Sequence, residues 1–580
     1  MGALGSLVLS YPEFLLAALS FLSLAALRLA LRSRRLLVPV SWPVVGMLPF
    51  VFGNLGRLLD AATDALRECG CTFMFRGPWL AGADFLVTCD PAVVHHCLTA
   101  NFGNYDKGRG FAEMFEVVGD GLLVADAASW ARQRLVVAAV FAAPAFRTFV
   151  LSTMARQAER LVAFLDHAAA FHNVVELEDV FTRFSLDVSY ASVFADDLGT
   201  LSVAAAEAPM PAFGEATRVA SEAVLFRHVV PAWWWKLLRW LNVGIERRHA
   251  EAKAVLDDVV YREIEKRKKS QPPIAGGQGE DGGGGGSDLL SMFMAWPRDP
   301  SMSDRERDQF LRDAAVGYMF AAKDLIVAAL TWFSYMLCTH PHVEAAILAE
   351  LRSLRPTAAV GKHAVFDADA LRAAPYLHAA VLETLRLFPP APFEEKEALG
   401  DDVLPDGTRV ARGTPVVFCI YAMGRIEGIW GDDCREFRPE RWLTGSGRVR
   451  HEPSHKFAVF NCGPRSCLGR NLGLSNLKIA AAAIIYNFRL ELVEGQVVEP
   501  LNSVVLHTKN GLRGSRNWKT NQKSRSSKSW PLSRVPIVVL ATIKKSCNSQ
   551  QTAIVLKLRT PLSEQNLGEV STNESWVPGE

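Results

Sequence analysis

The chain has 580 residues, 49% of them hydrophobic, enough for one unusually large core or two ordinary domains, and composition alone does not choose. Its 63 basic and 61 acidic residues leave a formal charge of +2, which gives no general electrostatic reason to expect nucleic-acid binding. The ten cysteines show no CxxC pair or regular spacing, which argues against a disulfide framework and suits a reducing compartment.

The first 35 residues carry a membrane signal. Leu4 to Leu27 is mostly apolar and long enough to cross a bilayer, interrupted by Glu13 and followed by Arg28, Arg32, Arg34 and Arg35. A cleaved signal peptide is the competing reading. The start of the chain lacks the positive charge such a peptide carries, and the arginine cluster looks more like a stop signal than a cleavage site. Residues 1–35 are therefore read as a single-pass anchor with a basic flank, with the body on the cytosolic side. Pro39, Pro43, Gly46 and Pro49 forbid a continuous helix, so residues 36–50 read as a stiff hinge.

Next come a helical pattern over Leu58 to Glu68 and a short strand over Phe85 to Thr88, ended by Asp90-Pro91. The segment after Ala125 is helical and puts Trp130 and Arg134 on one face, where the arginine is either solvated or set to meet an anion. Pro144 interrupts that pattern, and a new amphipathic helix begins near Phe146. Residues 211–249 read as helices broken at Pro231. Their Phe213, Phe226, Trp233, Trp234 and Trp235 either pack in a core or face a membrane. Five successive glycines make residues 266–287 an exposed loop, whose basic start is either simply solvated or drawn to lipid head groups.

A long apolar helix is expected from about Asp304 to Leu337. Asp324 is the anomaly in it, because a charge amid such a run must be paired, hydrated, protonated or functional. Glu383 and Arg386 share a helix face ahead of Pro389 and Pro390, and Arg441 follows in FRPERW. Ala391, Phe393 and Glu394 are candidates for a pocket lining. Short strands are expected around Asp406-Gly407 and Arg412-Gly413, with VVFCIY buried, and Lys509-Asn510-Gly511 signals a hairpin over 501–513.

FNCGPRSCLGR, from Phe460 to Arg470, leads into an alanine-rich helix. Gly463 and Gly469 are read as permitting backbone positions closed to other residues. Cys467 stands just before the helix, where unpaired amides favour a thiolate, either a nucleophile or a soft metal ligand. A buried apolar cysteine is the plainer alternative, and Cys462 with Cys467 lacks the second pair that zinc would need.

Phe460, Gly463, Arg465, Cys467 and Gly469 match FxxGxRxCxG, so the loop resembles the haem-binding signature of the cytochrome P450 superfamily at every position. The resemblance implies a mainly α haem-thiolate fold with a smaller β region, over residues 51–513, behind the N-terminal transmembrane anchor. It makes Cys467 the axial iron ligand, places Trp130, Arg134 and Arg465 around the haem with Arg134 on a propionate, and gives Glu383, Arg386 and Arg441 an architectural role. In this family the helix over the distal haem face carries (Ala/Gly)-Gly-x-(Asp/Glu)-Thr. Ala321, Lys323 and Asp324 align to it, while Ala322 replaces the glycine and Leu325 the threonine.

Leu325 has no hydrogen-bonding side chain, so Asp324 and water are expected to deliver protons, with poorer coupling and peroxide release. Thr331 lies more than one turn away and is a weak substitute. The same change would suit rearrangement of a hydroperoxide. The implied cofactors and partners are haem b, NADPH electrons through NADPH–cytochrome P450 reductase, membrane lipid and a long aliphatic substrate, at the endoplasmic reticulum. NYDKG, GDGLLVADAASW, ALTWFSYML and FAVFNCGPR look like the plant clan that hydroxylates fatty acids and alkanes, especially its mid-chain alkane branch of cuticular wax. Fatty-acid hydroxylation at a terminal or subterminal carbon, and a haem-binding homologue impaired at Leu325, are the alternatives. Residues 514–580 match no haem-enzyme motif and read as a disordered tail.

Overall fold

A computed structural model describes residues 39–516 other than 80, 172–173, 206–207, 271–285, 355, 361–362 and 494, together with 535–539. The expected N-terminal anchor lies outside the described residues, as does most of the glycine-rich loop. Pro49 sits in the first turn of a short helix, Leu48–Gly53, where its missing N–H costs nothing.

The main helices are α1 (Leu58–Glu68), α2 (Ala127–Ala142), α3 (Pro144–Phe171), α4 (Leu177–Phe194), α5 (Ala212–Val229), α6 (Ala232–Leu241), α7 (Gly244–Ser270), α8 (Asp304–Thr339), α9 (Pro341–Ser353), α10 (Pro375–Leu387) and α11 (Arg470–Asn487). α1 has the bounds its apolar spacing predicts. Pro144 opens α3 two residues before the expected start, because a proline at a helix N-terminus has no hydrogen bond to lose. Helix α7 carries Lys266 to Ser270 at its end, so the loop expected over 266–287 does not begin at Lys266.

α8 is the axis of the helical body. Ser303 starts it with a reciprocal cap: Ser303 Oγ accepts from the Glu306 amide at 3.2 Å, and Glu306 Oε2 accepts from the Ser303 amide at 2.7 Å. α4 lies along α8, and α11, α7 and α10 also pack against it. Among the described residues α8 is the one unbroken helix long and apolar enough to cross a membrane, yet 61% of its most apolar window is buried inside the protein, as befits a core helix.

The strands of the two larger sheets are β1 (Thr72–Phe75), β2 (Phe85–Thr88), β3 (Tyr105–Asp106), β4 (Val174–Glu176), β5 (Phe393–Ala398), β6 (Pro415–Cys419), β7 (Phe488–Leu492), β8 (Arg513–Arg516) and β9 (Val535–Val539). The first sheet runs β1-β2-β6-β5-β3, with only the β2–β6 pair parallel. β6 stops at Cys419, and Ile420–Met423 turn into a helix, shortening the expected VVFCIY strand. The second sheet runs β7-β9-β8-β4. It carries chain pairing past Arg513 and takes in Val535–Val539, both within the segment read as a disordered tail.

The hairpin expected over 501–513 does not form. A turn does fall at Lys509-Asn510, but the chain before it makes only an isolated bridge, Pro500 to Thr508, and the chain after it leaves to pair with β4. The tryptophan cluster divides: Trp235 is 2% exposed, whereas Trp233 and Trp240 are 63% and 79% exposed on the same helix, α6.

Candidate active site

The cysteine loop is locked in place from three directions. The Cys467 amide donates to Phe460 O at 2.8 Å, and the Ser466 amide donates to Gly463 O at 3.1 Å. Gly463 has a φ of +64°, and a β-carbon there would run into the Leu98 carbonyl, so both torsion and space require glycine. Gly469 does not repeat this: its φ is −82°, and an added β-carbon would meet its nearest atom, Cys467 Sγ, at an ordinary 3.8 Å. No backbone constraint calls for glycine at 469.

Arg134 and Arg465 bind this loop to α2. Arg134 Nη2 donates to Ser466 O at 2.6 Å, so the arginine expected on a propionate is seen gripping the residue beside Cys467. Arg465 Nη2 donates to Ala125 O at 2.8 Å and Asp126 Oδ1 at 2.6 Å, and its guanidinium lies 4.9 Å from the Trp130 ring centroid. The Cys467 thiol is pushed up by burial and drawn back by the Gly469 amide, the Arg134 and Arg470 charges and the Arg470 amide. The chain thus supplies much of the field that a metal-bound thiolate would use. Phe460 places its ring 5.4 Å from the Arg470 guanidinium, at the start of α11.

Behind the loop, Glu383 and Arg386 on α10 form a paired, fully buried network. Arg386 Nε and Nη2 each donate to a Glu383 oxygen at 2.8 Å, and its remaining donors meet the carbonyls of Gly424, Cys434 and Glu436. Arg441 Nε reaches Glu383 Oε1 at 3.3 Å, and Trp442 Nε1 donates to Oε2 at 2.9 Å. Such satisfaction is what makes a buried pair tolerable.

On α8, Asp324 is buried but not isolated. Lys323 Nζ is paired with its Oδ1, and Ser221 Oγ, from α5, donates to its Oδ2 at 2.9 Å. Burial alone would raise this carboxyl; Lys323, then the charge of His507 and the Ser221 hydrogen bond, hold it below the ordinary carboxylate range. Asp324 is therefore an ionised, tethered group. Thr331 is fully buried and its Oγ1 has no partner, so it does not join the site.

One cluster escaped the sequence reading. Lys107 Nζ donates to Glu394 Oε1 at 2.8 Å, Lys396 Nζ lies 3.3 Å from the same oxygen, and Asn461 Nδ2 donates to it at 3.1 Å. Burial would raise Glu394, but the two lysines hold it down to about 2; burial and Lys107 push Lys396 down to about 7. Glu394 is thus an ionic hub. The available signal was Lys396 at an inward position of β5, where strand alternation calls for an apolar side chain.

These groups fit a haem. Lys396 Nζ and Arg465 Nε are buried and lack a well-aligned hydrogen-bond acceptor, the Lys396–Glu394 contact being an ion pair only. Buried cationic donors beside a cysteine-bearing loop match an iron ligand with carboxylate side arms. The cytochrome P450 family profile matches residues 38–512.

The chain belongs to the cytochrome P450 family. Noroxomaritidine synthase of Narcissus aff. pseudonarcissus MK-2014 is 39% identical over 87% of this chain and 95% of its own length. Alkane hydroxylase MAH1 of Arabidopsis thaliana is 38% identical over 82% and 92%, and cytochrome P450 86B1 of the same plant 36% identical over 86% and 88%. The cytochrome P450DA haem domain shares the fold, with a TM-score of 0.68 at 21% identity over 84% of this chain and 98% of that one. The protein is a haem-thiolate monooxygenase of the plant P450 clan, with an alkane hydroxylase among its relatives, using haem b and NADPH electrons and acting on lipophilic substrates.

Proposed function

We propose that this P450 hydroxylates a long aliphatic chain, with fatty acids at a terminal or subterminal carbon and alkanes both within its range. The observation that carries the reading is the Cys467 loop, fixed by Arg134 and Arg465 on α2 and supported by the Glu383–Arg386 network. Phe393, a candidate for a pocket lining, and Leu501 are exposed apolar side chains, in keeping with an aliphatic ligand. Similarity to relatives named for different substrates supports this broader reading over a dedicated role in wax alkane synthesis.

In the mechanism, Cys467 would hold the haem iron, with Arg134, Arg465 and Lys396 as cationic partners around it. Bound haem supplies oxygen activation and C–H oxidation with two electrons from NADPH. The protein orients the substrate, excludes bulk water and moves protons. Leu325 contributes bulk to the distal helix but no proton path, and Asp324, ionised beside Lys323, holds no proton at rest. Proton delivery at this helix therefore does not run through a hydroxyl at position 325.

Residues 1–35 are proposed as the anchor in the endoplasmic reticulum membrane, with the body facing the cytosol and NADPH–cytochrome P450 reductase as electron donor. The exposed Trp233 and Trp240 of α6 suit contact with the same membrane.

The test is to incubate the membrane-expressed protein with reductase, NADPH and a panel of long alkanes and fatty acids, measuring products, oxygen and peroxide together. Hydroxylated aliphatic product supports the reading. Turnover of non-aliphatic substrates alone would overturn it. Product from a fatty-acid hydroperoxide without reductase, and none with it, would move the protein to rearrangement chemistry.

A further inference from the structure

The distal helix has an acid but no adjacent hydroxyl of its own: Asp324 is followed by Leu325. A hydroxyl nevertheless reaches the acid from another element. Ser221 Oγ, on α5, donates to Asp324 Oδ2 at 2.9 Å, while Lys323 occupies Oδ1. Ser221 is half-buried, and Asp324 is 8% exposed, so the serine lies on the more open side of the pair. Lys323 is also fixed through its backbone, its carbonyl accepting from Ser185 Oγ at 2.8 Å. The groups that face Asp324 are thus Lys323 on its own helix, Ser221 on α5, and His507, whose Nδ1 lies 2.7 Å from Glu178 Oε1.

Building on the monooxygenase reading with Asp324 as proton carrier, we propose that Ser221 takes the place of the hydroxyl missing at Leu325, positioning Asp324 and relaying its proton. In one transfer, Asp324 carrying a proton on Oδ2 gives it to Ser221 Oγ as the Ser221 hydroxyl proton leaves to a channel water. Asp324 is left as the carboxylate and takes its next proton from solvent, so neither residue is altered over a turnover. Because the acid sits on α8 and the hydroxyl on α5, the pair is intact only when these two helices are in register.

The test uses the full-length, haem-loaded protein with reductase, comparing wild type with Ser221→Ala, Ser221→Thr, Asp324→Asn and the double variant Ser221→Ala/Leu325→Thr. Three quantities are read: product formed per NADPH, peroxide released as a function of pH, and substrate affinity from the shift of the ferric haem spectrum. Ser221→Ala is expected to lower product per NADPH about tenfold and raise peroxide, with substrate affinity unchanged. Ser221→Thr should keep wild-type coupling, and Leu325→Thr should restore it in the double variant. If Asp324→Asn uncouples the enzyme while Ser221→Ala does not, the role assigned to Ser221 is wrong and Asp324 still acts. If Asp324→Asn leaves coupling intact, the carboxylate reading itself fails. Equal loss of substrate affinity in Ser221→Ala and Ser221→Thr, without added peroxide, would reduce Ser221 to a packing residue and overturn the proposal.

Discussion

Arg386 and Glu383 meet through two parallel hydrogen bonds with neither side chain retaining any exposed surface. Removing one partner strands the other as a buried charge. Glu383→Ala is therefore expected to destabilise the protein by about 3–5 kcal/mol, read from denaturant unfolding, and to abolish the haem-thiolate spectrum. Replacing both residues with leucine should cost less than the two single changes added together, since no unpaired charge remains. Strict additivity would show that the pair is not coupled.

Gly463→Ala is expected to lose haem binding even though the substitution is a single methyl. Positive φ and the Leu98 carbonyl oppose it together, and the Cys467 loop has no room to retreat from the backbone of Leu98. Gly469→Ala should retain most haem, because its φ is ordinary and its neighbours stand at contact distance. Haem content per purified chain distinguishes the two.

His249 is buried, its Nδ1 lies 3.3 Å from Arg227 Nη2, and burial followed by the charges of Arg227, Arg239 and Lys253 pushes it down to about 3. The unfolded chain therefore binds a proton below pH 6.5 that the folded chain refuses. Stability from this site is complete above about pH 6.5 and falls with acid until about pH 3, with a loss of about 2 kcal/mol at pH 5. His249→Gln, which still offers Arg227 an acceptor, should flatten the unfolding free energy between pH 7 and 5 by that amount. An unchanged slope would mean the histidine is protonated in the fold.

Lys396→Met removes a buried cation beside Glu394 without changing the strand it stands on. If this lysine serves a haem carboxylate, the variant should release haem to an apohaemoglobin-type acceptor about tenfold faster while the thiolate band position stays fixed. Release at the wild-type rate would leave Lys396 a structural partner of Glu394 alone.

Trp233→Ser/Trp240→Ser should weaken vesicle binding of protein lacking residues 1–35 by an order of magnitude or more, given the apolar surface withdrawn. Trp235, buried against Arg227, should instead affect stability when changed. Vesicle sedimentation and thermal unfolding separate these effects.

Local pattern revealed α1, the ends of α8 within two residues, and the shared face of Glu383 and Arg386, because helix periodicity and proline stops are properties of neighbouring residues. The cysteine loop was legible because FxxGxRxCxG is matched at every specified position. What stayed hidden depends on residues far apart in the chain: Leu98 beneath Gly463, Ser221 on Asp324, and Lys107 with Lys396 around Glu394. The failed hairpin shows the same limit. Lys509-Asn510-Gly511 does mark a turn, but β8 finds its partner in β4 and not in the chain preceding the turn.

That distant pairing also sets the order in which the protein can be made. The Leu512 amide donates to Glu176 Oε1 at 2.8 Å across 336 positions, and β8 fills the edge of β4. While the chain is being synthesised, β4 waits with an open edge until almost the whole catalytic body has left the ribosome, after the cysteine loop itself. A nascent P450 truncated shortly after Cys467 would hold the complete ligand motif and still present an unpaired strand, an invitation to aggregation and to quality-control capture.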